Sequence, residues 1–205
     1  MIKVGQELII LPVSGVVYFV KKNDTLSEIA KIYKGDVEEI IAFNGLSNEG
    51  DIFIGDVLII PDGKMPLRVP YIALTPVGES YFSIFPCEGK ITQGLHPFNA
   101  IDIANSCGKP VVAVATGTVQ RAGWINNIYG RIVTILHPNG VVTYYGHLSR
   151  VLVVPGQPVS AGDIIASIGN TGHTLGATGC HLHFEVRNAK NFLANYLVGT
   201  YLSWK

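Results

Sequence analysis

The chain has 205 residues, 48% of them hydrophobic and only 15% charged, with 15 Lys and Arg balancing 15 Asp and Glu. Such a composition can bury a core and argues against disorder, while a formal net charge of zero makes nucleic acid a poor partner. The 23 Gly and 11 Pro favour short strands joined by frequent turns over long helices.

The first apolar stretch, Leu8 to Val20, is broken by Pro12, Ser14 and Gly15. It is shorter than the ~20 residues that span a bilayer and lacks a small-residue cleavage site, so neither a membrane span nor a signal peptide is visible. Within it, Val4-Gly5-Gln6-Glu7-Leu8-Ile9-Ile10-Leu11-Pro12 echoes Ile54-Gly55-Asp56-Val57-Leu58-Ile59-Ile60-Pro61. An echo of this size suggests a repeated small unit, with chance as the alternative. Residues 1–15 are then expected to be the tail of a truncated preceding repeat, and the chain a fragment of a longer precursor.

Val16 to Lys21 reads as a strand. Thr25-Leu26-Ser27-Glu28 fits a capping box, in which hydroxyl and carboxylate satisfy opposite orphan amides. Leu26, Ile29, Ala30 and Tyr33 follow at helical spacing, and Gly35 stops that helix. Asp36 to Glu39 starts a second helix, with Val37, Ile40 and Ile41 inward, which Gly45 ends; Ile52 to Ile60 closes as a strand. This β-α-α-β segment, residues 16–62, resembles a lysin-motif (LysM) domain. Asn23-Asp24-Thr25-Leu26 stands where that family has Gly-Asp-Thr-Leu, and Asn tolerates positive φ almost as Gly does. The resemblance implies binding of N-acetylglucosamine-containing glycans such as peptidoglycan. Asp24, Thr25 and Leu26 of the first loop and Asn44 and Leu46 of the second would line the groove. A purely structural role competes, since Asp24 and Thr25 cap a helix and Leu26 packs.

Residues 63–80 carry Pro66, Pro70 and Pro76 and read as a semi-rigid linker. From residue 81 to 205 short β-branched runs recur, at 110–116, 117–122, 131–136, 141–145, 151–154 and 163–168. Gly, Pro and Asn separate them, and Asn139-Gly140 is a two-residue hairpin signal. The pattern is that of an antiparallel all-β domain.

All six histidines, His96, His137, His147, His173, His181 and His183, lie in this second domain. In Cys180-His181-Leu182-His183-Phe184-Glu185-Val186, strand alternation puts His181 and His183 on one face, roughly 7 Å apart. Leu182, Phe184 and Val186 take the other face. His96 and Asp102 offer imidazole nitrogen and carboxylate oxygen, both zinc donors, to one ion if the chain folds back between them; Pro97 and Asn99 permit that turn. Tyr144-Tyr145-Gly146-His147-Leu148-Ser149 adds one more histidine.

In this order the motifs resemble the lysostaphin or LytM type of zinc peptidase, across about residues 86–188. The resemblance implies a mainly β catalytic domain, an antiparallel sheet of barrel-sandwich or duplicated-hybrid type, behind the small α+β LysM domain. It implies one Zn²⁺ per chain held by His96, Asp102 and His183, with His147 and His181 as catalytic residues that handle the water proton and stabilise the charged intermediate. The implied activity is hydrolysis of peptide bonds in peptidoglycan stem or cross-link peptides, outside the cytoplasm. The family usually places its first His four residues before the Asp, whereas His96 lies six before Asp102, which puts two extra residues at Pro97 to Asn99. The family commonly has Pro where Cys180 stands. A bridge from Cys180 to Cys107, bracing the site, is expected, with two buried free thiols as the alternative. His137 and His173 match no catalytic position and read as structural or rim residues; Tyr145 and Thr174 are candidates for substrate contact.

Two other readings compete. The first is a catalytically inactive peptidoglycan-binding or hydrolase-regulating protein; every motif residue has a counterpart here, and the lengthened His96–Asp102 spacing is what keeps that alternative open. The second is a β-barrel carrier domain, which Val159 to Gly172 resembles. A lipoyl or biotinyl carrier needs a Lys at a hairpin tip, and Pro138-Asn139-Gly140 offers none.

Overall fold

The structure, a computed structural model, describes residues 13–66, 81–174 and 179–204. The chain divides into two compact units, residues 1–74 and 75–205. Most of the tail expected over residues 1–15, and most of the linker expected over 63–80, lies outside the described residues.

In the first unit, β1 (Gly15–Phe19) pairs antiparallel with β2 (Val57–Pro61), and α1 (Leu26–Tyr33) and α2 (Val37–Asn44) lie between them in sequence. Thr25 caps α1 by accepting the Glu28 amide, and Asp36 caps α2 by accepting the Glu39 amide. The second half of the expected capping box differs, because the Glu28 carboxylate accepts from the Thr25 hydroxyl. Helix α1 ends on Lys34 in the left-handed region (φ 57°), one residue before Gly35. Gly35 is required for another reason: a Cβ there would stand 2.4 Å from Ile60 Cγ2, in the core. That core is the inward stripe Leu26, Ile29, Ala30, Tyr33 and Ile40 against Leu58 and Ile60.

Asn44 ties α2 to β2. Its Nδ2 donates to the carbonyls of Ile40 and Ile59, and its Oδ1 accepts the Ile59 amide. Asn44→Ala would strand these partners, so it is expected to destabilise the first unit by about 2 kcal/mol. A lower denaturant midpoint for that unit in the full chain would register the loss.

The second unit is built on an eight-stranded antiparallel sheet. In chain order its strands are β3 (Gly89–His96), β4 (Ala100–Ala104), β6 (Gly117–Asn126), β7 (Gly130–Leu136), β8 (Val142–Gly146), β10 (Pro158–Val159), β12 (His181–Arg187) and β13 (Tyr201–Leu202). In space they run β10-β6-β7-β8-β12-β4-β3-β13, and a smaller sheet runs β5 (Pro110–Val112), β11 (Ile164–Ser167) and β9 (Arg150–Val151). The core collects alternate residues of the central strands: Ile101 and Ile103 of β4, Val133 and Ile135 of β7, Leu182, Phe184 and Val186 of β12. The opposite face of β4, β8 and β12 is thereby free to carry polar groups.

Three local features depart from the sequence reading. Strands β3 and β4 precede the first expected run; their ladder shifts register between Ile91 and Gln93 and again between Gln93 and His96. The hairpin β7–β8 does form, but Leu136 pairs with Val142, so its loop runs from His137 to Val141 and not over Asn139-Gly140 alone. Its first residue explains the length: the His137 ring is buried, bonded to the Thr116 carbonyl at 2.8 Å and the Thr143 hydroxyl at 2.9 Å. His137 is therefore a core residue. Tyr145 is fully buried too, its hydroxyl accepting from the Val114 amide, which rules it out as a substrate contact.

Candidate metal centre and active site

The site grows out of strand β12. Leu182, Phe184 and Val186 face the core, so His181, His183, Glu185 and Arg187 share the opposite face. Register places His183 directly between Asp102 of β4 and Gly146 of β8. Gly146 keeps space for the ring, because a Cβ there would already lie 3.3 Å from His183 Cβ. His147 follows at the end of β8 in the left-handed region (φ 61°), held by its amide's bond to the Tyr129 carbonyl. A non-glycine residue in this region stores strain, and such strain is common at functional sites.

His96 arrives from β3. The two extra residues lie within a three-residue 3-10 turn, Pro97–Asn99, in which Phe98 (φ 68°) and Asn99 (φ 61°) are both left-handed. The turn folds the chain back so that His96 pairs with Ala100 and its ring reaches Asp102. The lengthened spacing thus leaves His96 beside Asp102 and His183.

Three atoms converge. His96 Nε2 lies 3.4 Å from His183 Nδ1 and 3.5 Å from Asp102 Oδ1, and His183 Nδ1 lies 2.9 Å from that oxygen. A tetrahedral zinc with bonds of ~2.0–2.1 Å needs its donors ~3.3 Å apart, and two imidazole nitrogens with one carboxylate oxygen suit it chemically. Among the described residues these three form the group of His, Cys, Asp or Glu side chains that could hold a metal ion. His181 Nε2 stands 3.8 Å from Asp102 Oδ2, and the rings of His147 and His181 are 4.7 Å apart.

Each of the four rings is anchored through its outward nitrogen. His96 Nδ1 donates to the Gly94 carbonyl, His147 Nδ1 to that of Thr171, and His181 Nδ1 to that of Gly179. His183 Nε2 donates to Glu185 Oε1 at 2.8 Å. A ring nitrogen that gives its proton outward leaves the other as a lone pair in the neutral ring, so His96, His147 and His181 present an acceptor inward. His183 Nδ1 instead donates to Asp102 Oδ1 at 2.9 Å and would have to give up that proton to bind a metal. Burial, first, and the neighbouring imidazoles push the His147 ring down to about 4, which keeps it neutral at pH 7. Burial alone would lower His183 as well, but the carboxylates of Asp102 and Glu185 hold it up at about 9. For Asp102 burial acts upward, but the His183 hydrogen bond and the neighbouring imidazoles of His183, His96 and His181 together outweigh it and draw the carboxyl below its ordinary range.

Cys107 and Cys180 form a disulfide, and Cys87 is a buried free thiol. The bridge fastens the start of β12, one residue before His181, to the turn after β4. His173 is exposed, and Thr174 is half-buried with its hydroxyl on the Asn170 carbonyl. In the first unit, Asp24 accepts from the Tyr18 hydroxyl and the Lys21 amide, Thr25 is the α1 cap, and Leu46 is half-buried against the core. Leu26 is 1% exposed and has no side-chain surface for a sugar; the Asn44 amide is spent on backbone. A bond from the Ser27 hydroxyl to Glu49 ties the first turn of α1 to the loop after α2.

Arg187 and Tyr129 go unremarked in the sequence, and Glu185 stands there as part of the 180–186 segment with no role assigned. Simple continuation of the 181–183 alternation would have found Glu185 and Arg187. Nothing in the sequence marks Tyr129, a hairpin residue whose ring lies 5.7 Å from His183.

A β domain whose central strands gather four imidazoles and a carboxylate on one face, behind a β-α-α-β module, is of metallopeptidase type. Residues 96–194 match the model of peptidase family M23, and residues 18–61 that of the LysM domain. The uncharacterised lipoprotein YgeR of Escherichia coli is 30% identical over 198 residues, which cover 85% of this chain and 77% of the relative. The peptidoglycan DD-endopeptidase ShyA of Vibrio cholerae is 41% identical over 97 residues, 47% of this chain and 21% of its own length. The murein hydrolase activator NlpD of Salmonella typhimurium is 36% identical over 134 residues, 60% of this chain and 34% of its own. A Pseudomonas aeruginosa crystal structure assigned to peptidase M23 superposes with a TM-score of 0.50 at 28% identity, over 60% of this chain and 54% of that one. The chain belongs to peptidase family M23 and carries a LysM domain ahead of the family's domain. It spans about three quarters of YgeR but only about a third of NlpD and a fifth of ShyA.

Proposed function

We propose that the chain is a zinc-dependent endopeptidase that cuts the peptide part of bacterial peptidoglycan, outside the cytoplasm, while its LysM domain holds the glycan. The observation that carries this reading is the convergence of His96 Nε2, Asp102 Oδ1 and His183 Nδ1 beside two further imidazoles with inward lone pairs. His96, Asp102 and His183 would hold the zinc. Zinc, when bound, supplies the positive charge that polarises a scissile carbonyl and acidifies water.

His147 and His181 do the proton chemistry. Both are held by backbone carbonyls, so their Nε2 atoms sit still at the site. An imidazole that takes a proton from water at Nε2 can return it to the leaving amine, and as an imidazolium it can donate to the carbonyl oxygen as negative charge grows there. Tethering by the LysM domain raises the local concentration of peptide at this face. On the first unit, Asp24, Thr25 and Leu46 are the groove candidates. An extracytoplasmic location is supported by the substrate, by the lipoprotein relative and by the disulfide.

The likeness to a murein hydrolase activator favours a second reading, in which the domain regulates another hydrolase. Digestion of purified peptidoglycan by zinc-loaded protein, with products identified by mass spectrometry, separates the two. Chelator-sensitive release of cleaved peptides supports the endopeptidase. Absence of cleavage, with stimulation of an added murein hydrolase, supports the activator. His147→Ala is expected to retain zinc yet lose about 10²–10⁴-fold in kcat, the usual span for one acid–base group.

A further inference from the structure

We propose that Glu185 and Arg187, locked together with Phe98, are positioning residues that hold His183 and the His96 turn in register for the metal. This rests on the reading of His96, Asp102 and His183 as zinc ligands.

Both charged residues are buried, Glu185 at 0% and Arg187 at 4% exposure. A buried ion pair is a poor device for stability, since its desolvation offsets its attraction and a well-packed apolar pair often serves as well. Its geometry indicates another use. The Glu185 carboxylate serves Arg187 and His183 at once: Oε2 accepts from Arg187 Nε (2.6 Å) and Nη2, Oε1 accepts from His183 Nε2 (2.8 Å), and the Tyr129 hydroxyl bonds to the same ion pair. Arg187 therefore holds the carboxylate at the angle at which it fixes the His183 ring and keeps the ring's proton on Nε2. The other three rings are anchored on backbone carbonyls. Among the four, His183 depends on a side chain.

The same guanidinium lies against the turn that follows the other histidine ligand. Its centre lies 4.9 Å from the ring of Phe98 and 4.9 Å from that of Tyr144. Phe98 belongs to the Pro97–Asn99 turn, two residues after His96. The next residue, Asn99, pins that turn to the far end of β12, with Nδ2 donating to the Val186 and Ala189 carbonyls at 2.6 and 2.8 Å. The extra residues between His96 and Asp102 thus form a strap that grips Arg187, and one buried unit connects His183 to the turn that delivers His96.

The test is zinc affinity, measured by chelator competition on the full chain, beside thermal unfolding. Glu185→Leu with Arg187→Met replaces the pair by apolar groups and removes the His183 acceptor; affinity is expected to fall 10–100-fold with Tm nearly unchanged. Glu185→Gln with Arg187→Met restores an acceptor oxygen without charge and is expected to recover most of that loss. Phe98→Leu keeps the fold and loosens the strap, with an expected 3–10-fold loss. Wild-type affinity in both the Leu/Met and Phe98→Leu variants would overturn the proposal. Should the Leu/Met variant unfold, the Gln/Met and Phe98→Leu variants decide on the same readout. A wild-type chain that binds no zinc overturns the ligand reading itself, an outcome distinct from zinc bound tightly and unaffected by these changes.

Discussion

Asp102→Asn is expected to abolish together the zinc binding and the peptidoglycan cleavage proposed for this protein. Asp102 is the anionic centre of the cluster, with Oδ1 2.9 Å from His183 and 3.5 Å from His96, and Oδ2 3.8 Å from His181. Asn keeps the shape and removes the charge, so the remaining donors are neutral. Structural zinc sites bind with about 10–16 kcal/mol spread over four ligands, which assigns roughly 3–4 kcal/mol to each. Loss of one corresponds to a zinc affinity lower by about 10²–10³-fold. Cleavage at limiting zinc should fall at least as far and recover in part when excess zinc is supplied. That partial recovery separates Asp102→Asn from His147→Ala, whose defect no excess of zinc repairs. Retained affinity with lost cleavage would move Asp102 from the ligand set to the acid–base group.

The parts legible in the sequence are those governed by local periodicity. Alternation in a strand puts His181 and His183 on one face whatever the rest of the chain does, and Thr25 and Asp36 cap helices with atoms from their own first turns. What escaped depends on contacts distant in sequence. The β3–β4 hairpin is hidden because its apolar alternation is interrupted by two register shifts and by a left-handed Phe98, which no propensity favours. Glu185 and Arg187 resemble the solvated end of a strand. They are buried because Phe98 and Tyr144, 89 and 43 residues before Arg187, close over the guanidinium. Tyr145 reads as a neighbour of His147, but pairing with Phe184 turns its ring into the core.

Breaking the Cys107–Cys180 bridge is expected to destabilise the second unit strongly. The two cysteines are 73 residues apart, so the bridge closes a loop that contains β5 to β11. The chain-entropy relation assigns a loop of that length about 4 kcal/mol, or about 10–15 °C in the midpoint of a unit of this size. Catalysis should suffer before global unfolding. His181 follows Cys180 directly, its amide bonds to the Gly169 carbonyl, and the Gly108 amide bonds to that of Ile168. The bridge therefore clamps the 168–169 segment between its two ends and keeps the His181 ring over Asp102. The Cys107→Ser/Cys180→Ser double variant tests this without reductant, and burial holds the remaining Cys87 thiol far above its ordinary pKa, so it does not react in place of the bridge. The expected pattern is a fall in Tm with kcat reduced well below the folding midpoint while zinc stays bound, since neither cysteine touches the three converging donors. A midpoint unchanged within about 3 °C would mean that the strand pairings of β12 with β4 and β8 hold this corner without the bridge.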